Sequence, residues 1–109
     1  MEDEAQRRVA ANEAALRQVN EAIERGQWPV GDDRPVGFRC ECAQLRCDQV
    51  IELTIREYER VRAHPRRFVI VQGHEVPAED TVLESGSGWV VVEKRRVAGK
   101  VADATDPRD

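Results

Sequence analysis

The sequence predicts an α+β domain: an N-terminal helix, a cysteine-bearing loop, a β-α-β unit and a C-terminal β-hairpin that together make a small sheet. Three observations lead there. Residues 4 to 25 contain no Gly or Pro and are rich in Ala, Glu, Arg and Gln, the residues that lose least on entering a helix. Short runs rich in β-branched residues, "QVIELT", "RFVIV" and "GWVVVEKR", are bounded by Gly, Pro or polar clusters, as strands are. Between the first two runs, Thr54 and Glu57 form the T-x-x-E capping box that starts a helix. At 109 residues the chain has room for one domain.

Taken in order, residues 1–26 form the helix, and Gly26 stops it. Its apolar stripe is Val9, Leu16, Val19 and Ile23, with Asn12 on the same side. A stripe this narrow packs on its own domain or pairs with a partner helix, where Asn12 would fix the register. Residues 27–37, "QWPVGDDRPVG", read as a linker because Gly and Pro recur. A folded unit then spans 38–96. Its helix starts at Ile55 and ends before Pro65, because the residue preceding a proline is pushed out of helical geometry. That helix buries Ile55, Tyr58, Val61 and the stem of Arg62. "DTVLES" and "GWVVVEKR" flank "GSG" as a hairpin, with Trp89, Val91 and Glu93 on one face and Val90 and Val92 on the other. Residues 97–109 are polar and read as a flexible tail. Phe38, Tyr58, Phe68 and Trp89 are the core candidates.

Composition limits the function classes. With two Phe, two Trp and one Tyr, the chain has little aromatic bulk for a core, and a domain this small benefits from a staple. Charged residues make up 35% of the chain but are mixed in sign, and the net charge of −4 disfavours broad electrostatic binding to nucleic acid. The opening residues carry no apolar leader, and no run of eighteen apolar residues occurs, so no membrane association and a cytoplasmic location are expected.

All three cysteines lie inside "FRCECAQLRC", as C-x-C-x4-C at Cys40, Cys42 and Cys47. An odd number cannot pair internally, and clustered thiols in a reducing compartment point to metal or redox chemistry. The turn in C-x-C and the compact C-x4-C loop supply three corners of a tetrahedron. Zinc in structural sites takes four N or S ligands, and Cys3His is one of its standard sets. Two histidines are available to complete it. His74 in "QGHE" follows a strand and a Gly that frees the chain to turn, which makes it the preferred fourth ligand. His64 sits at a helix end, where the helix dipole also favours a cationic cap. The expected cofactor is therefore Zn2+ in a zinc knuckle.

Other readings of the cysteines stay open at this point. Charged Glu41 between two of them argues against ordinary buried apolar residues. A redox thiol pair would leave Cys47 over. Ligand type permits an iron–sulfur cluster, although the loops are short for one. A catalytic zinc with Glu75 as base would need one of four protein ligands to be absent.

These residues carry a resemblance. The pattern F-x-C-E-C-x4-C, then I-E-L-T-x-x-E-Y-E-x-V-R, P-x-R-F, G-H-E and V-V-E-K, resembles a group of small proteins common in high-GC Gram-positive bacteria, over residues 12 to 107. That group commonly has a Pro before G-H-E, where this chain has Gln72. The resemblance implies a single domain with a metal site and brings no activity with it. The spacing C-x-C-x4-C alone resembles the post-SET-type zinc knuckle that follows the catalytic domain of some lysine methyltransferases, which implies only that such spacing holds zinc.

The function these features predict is a small zinc-stabilised protein-interaction or regulatory module, not an enzyme, with another protein as partner. No nucleophile and base pair, phosphate loop or paired-carboxylate arrangement stands out. One alternative is a nucleic-acid-binding regulator using the Arg-rich 56–67 segment, with Arg60, Arg62, Arg66 and Arg67 as phosphate contacts. Against it, the same arginines are explained by a solvated face with i,i+4 pairs such as Glu52 with Arg56. A second alternative is a redox sensor that releases its metal when the thiols are oxidised.

Overall fold

A computed structural model describes residues 2–27, 33–44 and 46–108. In chain order these form α1 (Glu2–Gly26), β1 (Pro35–Arg39), β2 (Val50–Thr54), α2 (Ile55–Arg62), β3 (Arg67–Val71), β4 (Asp80–Ser85), β5 (Trp89–Lys94) and α3 (Arg96–Ala104). The fold class is α+β, as the sequence predicts.

The strands form two antiparallel sheets where one was expected. β1 pairs with β2, setting Val36 opposite Leu53 and Phe38 opposite Ile51, and these four side chains are buried. The second sheet has the order β3-β5-β4. The β-α-β unit therefore does not lie in one sheet: α2 carries the chain from the first sheet to the second. The linker boundary also moves. Pro35 to Arg39 belong to a strand whose alternation the surrounding Gly and Pro obscured. A Cβ at Gly37 would come within 2.9 Å of the exposed Val50 Cγ1 on the paired strand. Residues 28–32 of the predicted linker lie outside the described residues.

α2 begins as the capping box requires. The Glu57 N–H donates to Thr54 Oγ1 (3.1 Å), and the Thr54 N–H donates to Glu57 Oε1 (2.8 Å). Its buried residues are Tyr58, Val61 and Arg62, with Ile55 only half-buried. The Phe38 and Tyr58 rings stack with centroids 4.4 Å apart, joining the first sheet to α2. Phe68 is buried beside them, whereas Trp89 is half-buried at the rim of the cluster. Central strand β5 is covered on both sides, so Val90, Val91, Val92 and Lys94 are all buried.

The segment expected to be a flexible tail is a helix instead. α3 buries Ala98, Gly99 and Ala102 and packs on α1. The residues after it are held by charge: Arg62 donates to Asp106, and Arg108 pairs with Glu21 (3.0 Å) and Glu59 (2.6 Å).

α1 also docks by an unexpected face. Its buried residues are Ala10, Glu13, Ala14, Arg17, Asn20 and Glu21, while Val19 on the predicted stripe is 45% exposed. Val9 and Leu16 are half-buried, and Ile23 packs against the core. The charges tolerate burial because each has partners. Arg17 donates to Pro65 O (2.6 Å) and Ala102 O (2.8 Å), and its guanidinium lies 4.6 Å from the Phe68 ring centroid. Arg62 Nε donates to Glu21 (2.5 Å), and Lys94 Nζ donates to Glu13 (2.5 Å) and Asp80 (2.8 Å).

Lys94 faces two carboxylates with one positive charge. Burial lifts Glu13 to a pKa of about 7 against the attraction of Lys94, with Asp80 and Glu79 adding repulsion. For Lys94, desolvation pulls the ammonium down, but Glu13 and Asp80 together outweigh it and hold it charged. Because the folded pKa of Glu13 lies above its unfolded value, its contribution to stability is present at low pH and is lost as pH rises towards 7. Glu13→Gln removes that dependence. The unfolding free energy of wild type relative to Glu13→Gln is expected to fall by about 2 kcal/mol between pH 5.5 and 8. Denaturant titrations of both proteins across that range check this, and parallel curves would contradict it.

Candidate metal centre

The loop between β1 and β2 carries Cys40, Cys42 and Cys47, and the turn after β3 carries His74. The Cys47 N–H donates to Gln44 O (3.0 Å) and the Cys40 N–H to Gln49 O (3.1 Å), which closes the knuckle on itself. On the other side, the His74 N–H donates to Val71 O (3.0 Å). Gly73 takes φ +95° in that turn, a conformation that side-chain-bearing residues rarely adopt. Glu75 Oε1 accepts the Gly73 N–H (2.9 Å), so this carboxylate braces the turn.

The four side chains converge. Their ligand atoms all lie within 4.8 Å of one another, a grouping able to hold a metal ion. His74 Nδ1 is 3.6 Å from Cys40 Sγ and 3.7 Å from Cys47 Sγ. The sequence prefers His74 to His64, and the grouping agrees: His64 is exposed just after α2 and takes no part in it. Cys40 and Cys42 are buried and Cys47 is half-buried, and none forms a disulfide. Burial pushes the Cys40 thiol well up and raises the Cys42 thiol. Thiols so placed stay protonated at neutral pH unless a cation compensates the charge, which is the opposite of a reactive redox pair.

Glu41 is the functional residue that the sequence reading misplaced. It is fully buried, although its charge argued against burial of the cysteines beside it. Its Oε2 accepts from Asn20 Nδ2 (2.8 Å) and the Tyr58 hydroxyl (2.9 Å), and its Oε1 accepts the Val69 N–H (3.0 Å). Burial raises its pKa, against the pull of these three bonds. Asn20 also clamps Arg39, accepting its N–H (2.7 Å) and donating to its carbonyl (2.9 Å). The Glu41 N–H donates to Val69 O (2.9 Å), and the Val71 N–H donates to Cys40 Sγ (3.1 Å). The ligand loop thus occupies the side of β3 that β5 leaves free. A polar residue between two ligands was the one available signal, because a solvated loop has no need of such a socket.

The Arg-rich segment has other engagements. Arg62 is buried in its pairs with Glu21 and Asp106, so it cannot reach a phosphate. Arg60 pairs with Glu84 (2.8 Å), Arg66 with Asp103 (2.8 Å) and Arg67 with Glu93 (3.4 Å). These pairs link α2 and β3 to other elements rather than following the i,i+4 spacing. No described helix is long and apolar enough to cross a membrane. Compared with known proteins, the chain matches no family model, no curated protein and no solved structure.

Proposed function

We propose that this protein is a non-catalytic module built around a structural zinc ion held by Cys40, Cys42, Cys47 and His74, and that it works by binding another protein. The convergence of four soft or imidazole ligand atoms carries this reading. A tetrahedral zinc with bonds of about 2.3 Å to S and 2.0 Å to N places S and N roughly 3.6 Å apart, and the His74 distances of 3.6 and 3.7 Å fit that geometry. A cluster distributes its ligands over several iron atoms and needs wider spacing, so the packing favours a single ion. Four protein ligands fill a tetrahedral ion, which favours a structural role over a catalytic one.

The surface offered to a partner is the outward side of α1. Val9 and Ala15 line a groove of about 710 Å³ there, which Ala43 of the ligand loop also borders. The nucleic-acid reading has less support, since the arginines it relies on face carboxylates.

Native mass spectrometry with metal analysis tests the centre. One zinc per chain is expected for wild type and His64→Ala, with loss or weakening in His74→Ala. Iron, or no metal, would overturn the assignment. For the surface, Leu16→Asp is expected to abolish association with a partner while the metal stays bound.

A further inference from the structure

The buried clasp at Glu41 joins the two halves of the proposed function, the metal centre and α1. Glu41 is flanked on both sides by ligand cysteines, and its carboxylate sits in a socket formed by three separate elements: Asn20 of α1, Tyr58 of α2 and Val69 of β3. Asn20 holds the loop a second time through both backbone groups of Arg39, the residue before the first ligand. Every side-chain polar group of Asn20 is therefore spent on the ligand loop. The rest of the α1 dock is also largely polar, relying on Glu13, Arg17 and Glu21; among the described residues its buried apolar side chains are Ala10 and Ala14, with Ile23 packed partly against the core. A helix attached by polar contacts regains water when it leaves, so it opens more readily than one attached by apolar area.

We propose that Glu41 and Asn20 are positioning residues that couple α1 docking to metal affinity, so that a partner drawing α1 away from the body weakens the hold on the metal. The inference rests on the zinc reading above. The coupling follows from reciprocity: if the docked helix fixes the loop in its ligating shape, metal binding favours docking by the same factor. Outer partners of ligands act in this way in metal sites generally, and their loss lowers affinity by about 10- to 100-fold.

The test uses the full-length, zinc-loaded protein. Zinc affinity is measured by competition with a chromophoric chelator for wild type, Asn20→Ala, Glu41→Gln and the double variant. Hydrogen exchange of the α1 amides is followed in parallel. Each single variant retains all four ligands. Each is expected to bind zinc about 10-fold or more weakly, with faster exchange along α1. The double variant is expected to lose much less than the product of the two losses, because one hydrogen bond is shared.

General loss of stability is separated out by Val91→Ala, which opens a cavity on the other face of β5, beside Leu53 and Val61 and outside the cluster that holds Cys40 and Cys42. It is expected to leave zinc affinity within about twofold of wild type and to combine multiplicatively with Asn20→Ala. If Asn20→Ala speeds exchange in α1 while zinc affinity is unmoved, or if Val91→Ala weakens zinc as much, the coupling is wrong and the zinc reading stands. A wild-type protein that takes up no zinc would overturn the zinc reading itself, and this inference with it.

Discussion

Removal of the proposed zinc, by excess chelator or by Cys42→Ser, is expected to leave the chain unfolded at 37 °C, with its far-ultraviolet dichroism and cooperative melt both lost. The magnitude follows from the size of the terms. Binding zinc at a structural four-ligand site contributes roughly 10–16 kcal/mol in small domains. The net stability of a domain is only about 5–15 kcal/mol. The architecture makes the ion hard to replace, because the ligand loop lies between the two sheets and no backbone pairing connects β2 with β3. Without the ion, Glu41 has no rigid support on either side, and its three partners face desolvation without an acceptor. Thermal melts of holo and metal-free protein, with metal content measured on each, check this. A metal-free sample melting within a few degrees of the holo protein would mean that apolar packing alone sustains the fold.

The second large effect is expected from Lys94→Met. Lys94 is buried to the same degree as the core valines around it, and its single ammonium pairs with both Glu13 and Asp80. Methionine has nearly the same shape and satisfies neither carboxylate. Breaking a buried pair from one side costs about 3–5 kcal/mol, since the remaining charge stays desolvated. The loss depends on pH in a defined direction. Glu13 is easily protonated, so the cost is expected to be greatest at pH 8 and to shrink by pH 5.5, where one of the two carboxylates is neutral. Denaturant midpoints at the two pH values measure it, and an equal loss at both would show that Glu13 is not the group left stranded.

How far the sequence could be read depended on whether the signal was local. The Thr54 and Glu57 box needs only four consecutive residues, and it appears as predicted. C-x-C-x4-C is nearly as local, and the strand before Gly73 was enough to favour His74. Features set by distant packing were invisible. α3 starts without a side-chain cap, enters through Arg96 at φ +54°, and carries Gly99 inside it, so each local rule argued against a helix. Its stability comes from burying small residues on α1. A Cβ on Gly99 would meet Arg66 Nη1 at 2.7 Å and the Lys94 carbonyl at 2.9 Å, so the glycine is set by the segment before β3 and the entry to the helix.

The face of α1 was misjudged for a related reason. Hydrophobic periodicity finds the stripe of Val9, Leu16, Val19 and Ile23, yet the body of the protein offers α1 a charged and polar surface. Lys94, Arg62 and the Arg39 backbone select Glu13, Glu21 and Asn20 in reply. Such complementarity between polar groups far apart in sequence leaves no period to detect.

The way the ligand loop covers β3 bears on what happens to the protein when metal is scarce. "RFVIV" is a short, strongly β-forming segment, and its side away from β5 is closed by the Glu41 carboxylate, the Glu41 N–H and the Cys40 sulfur. None of these is a true strand, and all of them depend on the knuckle keeping its shape. Once the loop relaxes, β3 presents unsatisfied backbone groups and apolar side chains, a template on which another chain can add. Under the zinc reading, loss of the ion would thus turn this covered edge into a site for aggregation. The proposed staple would then guard against self-association as well as supply folding energy.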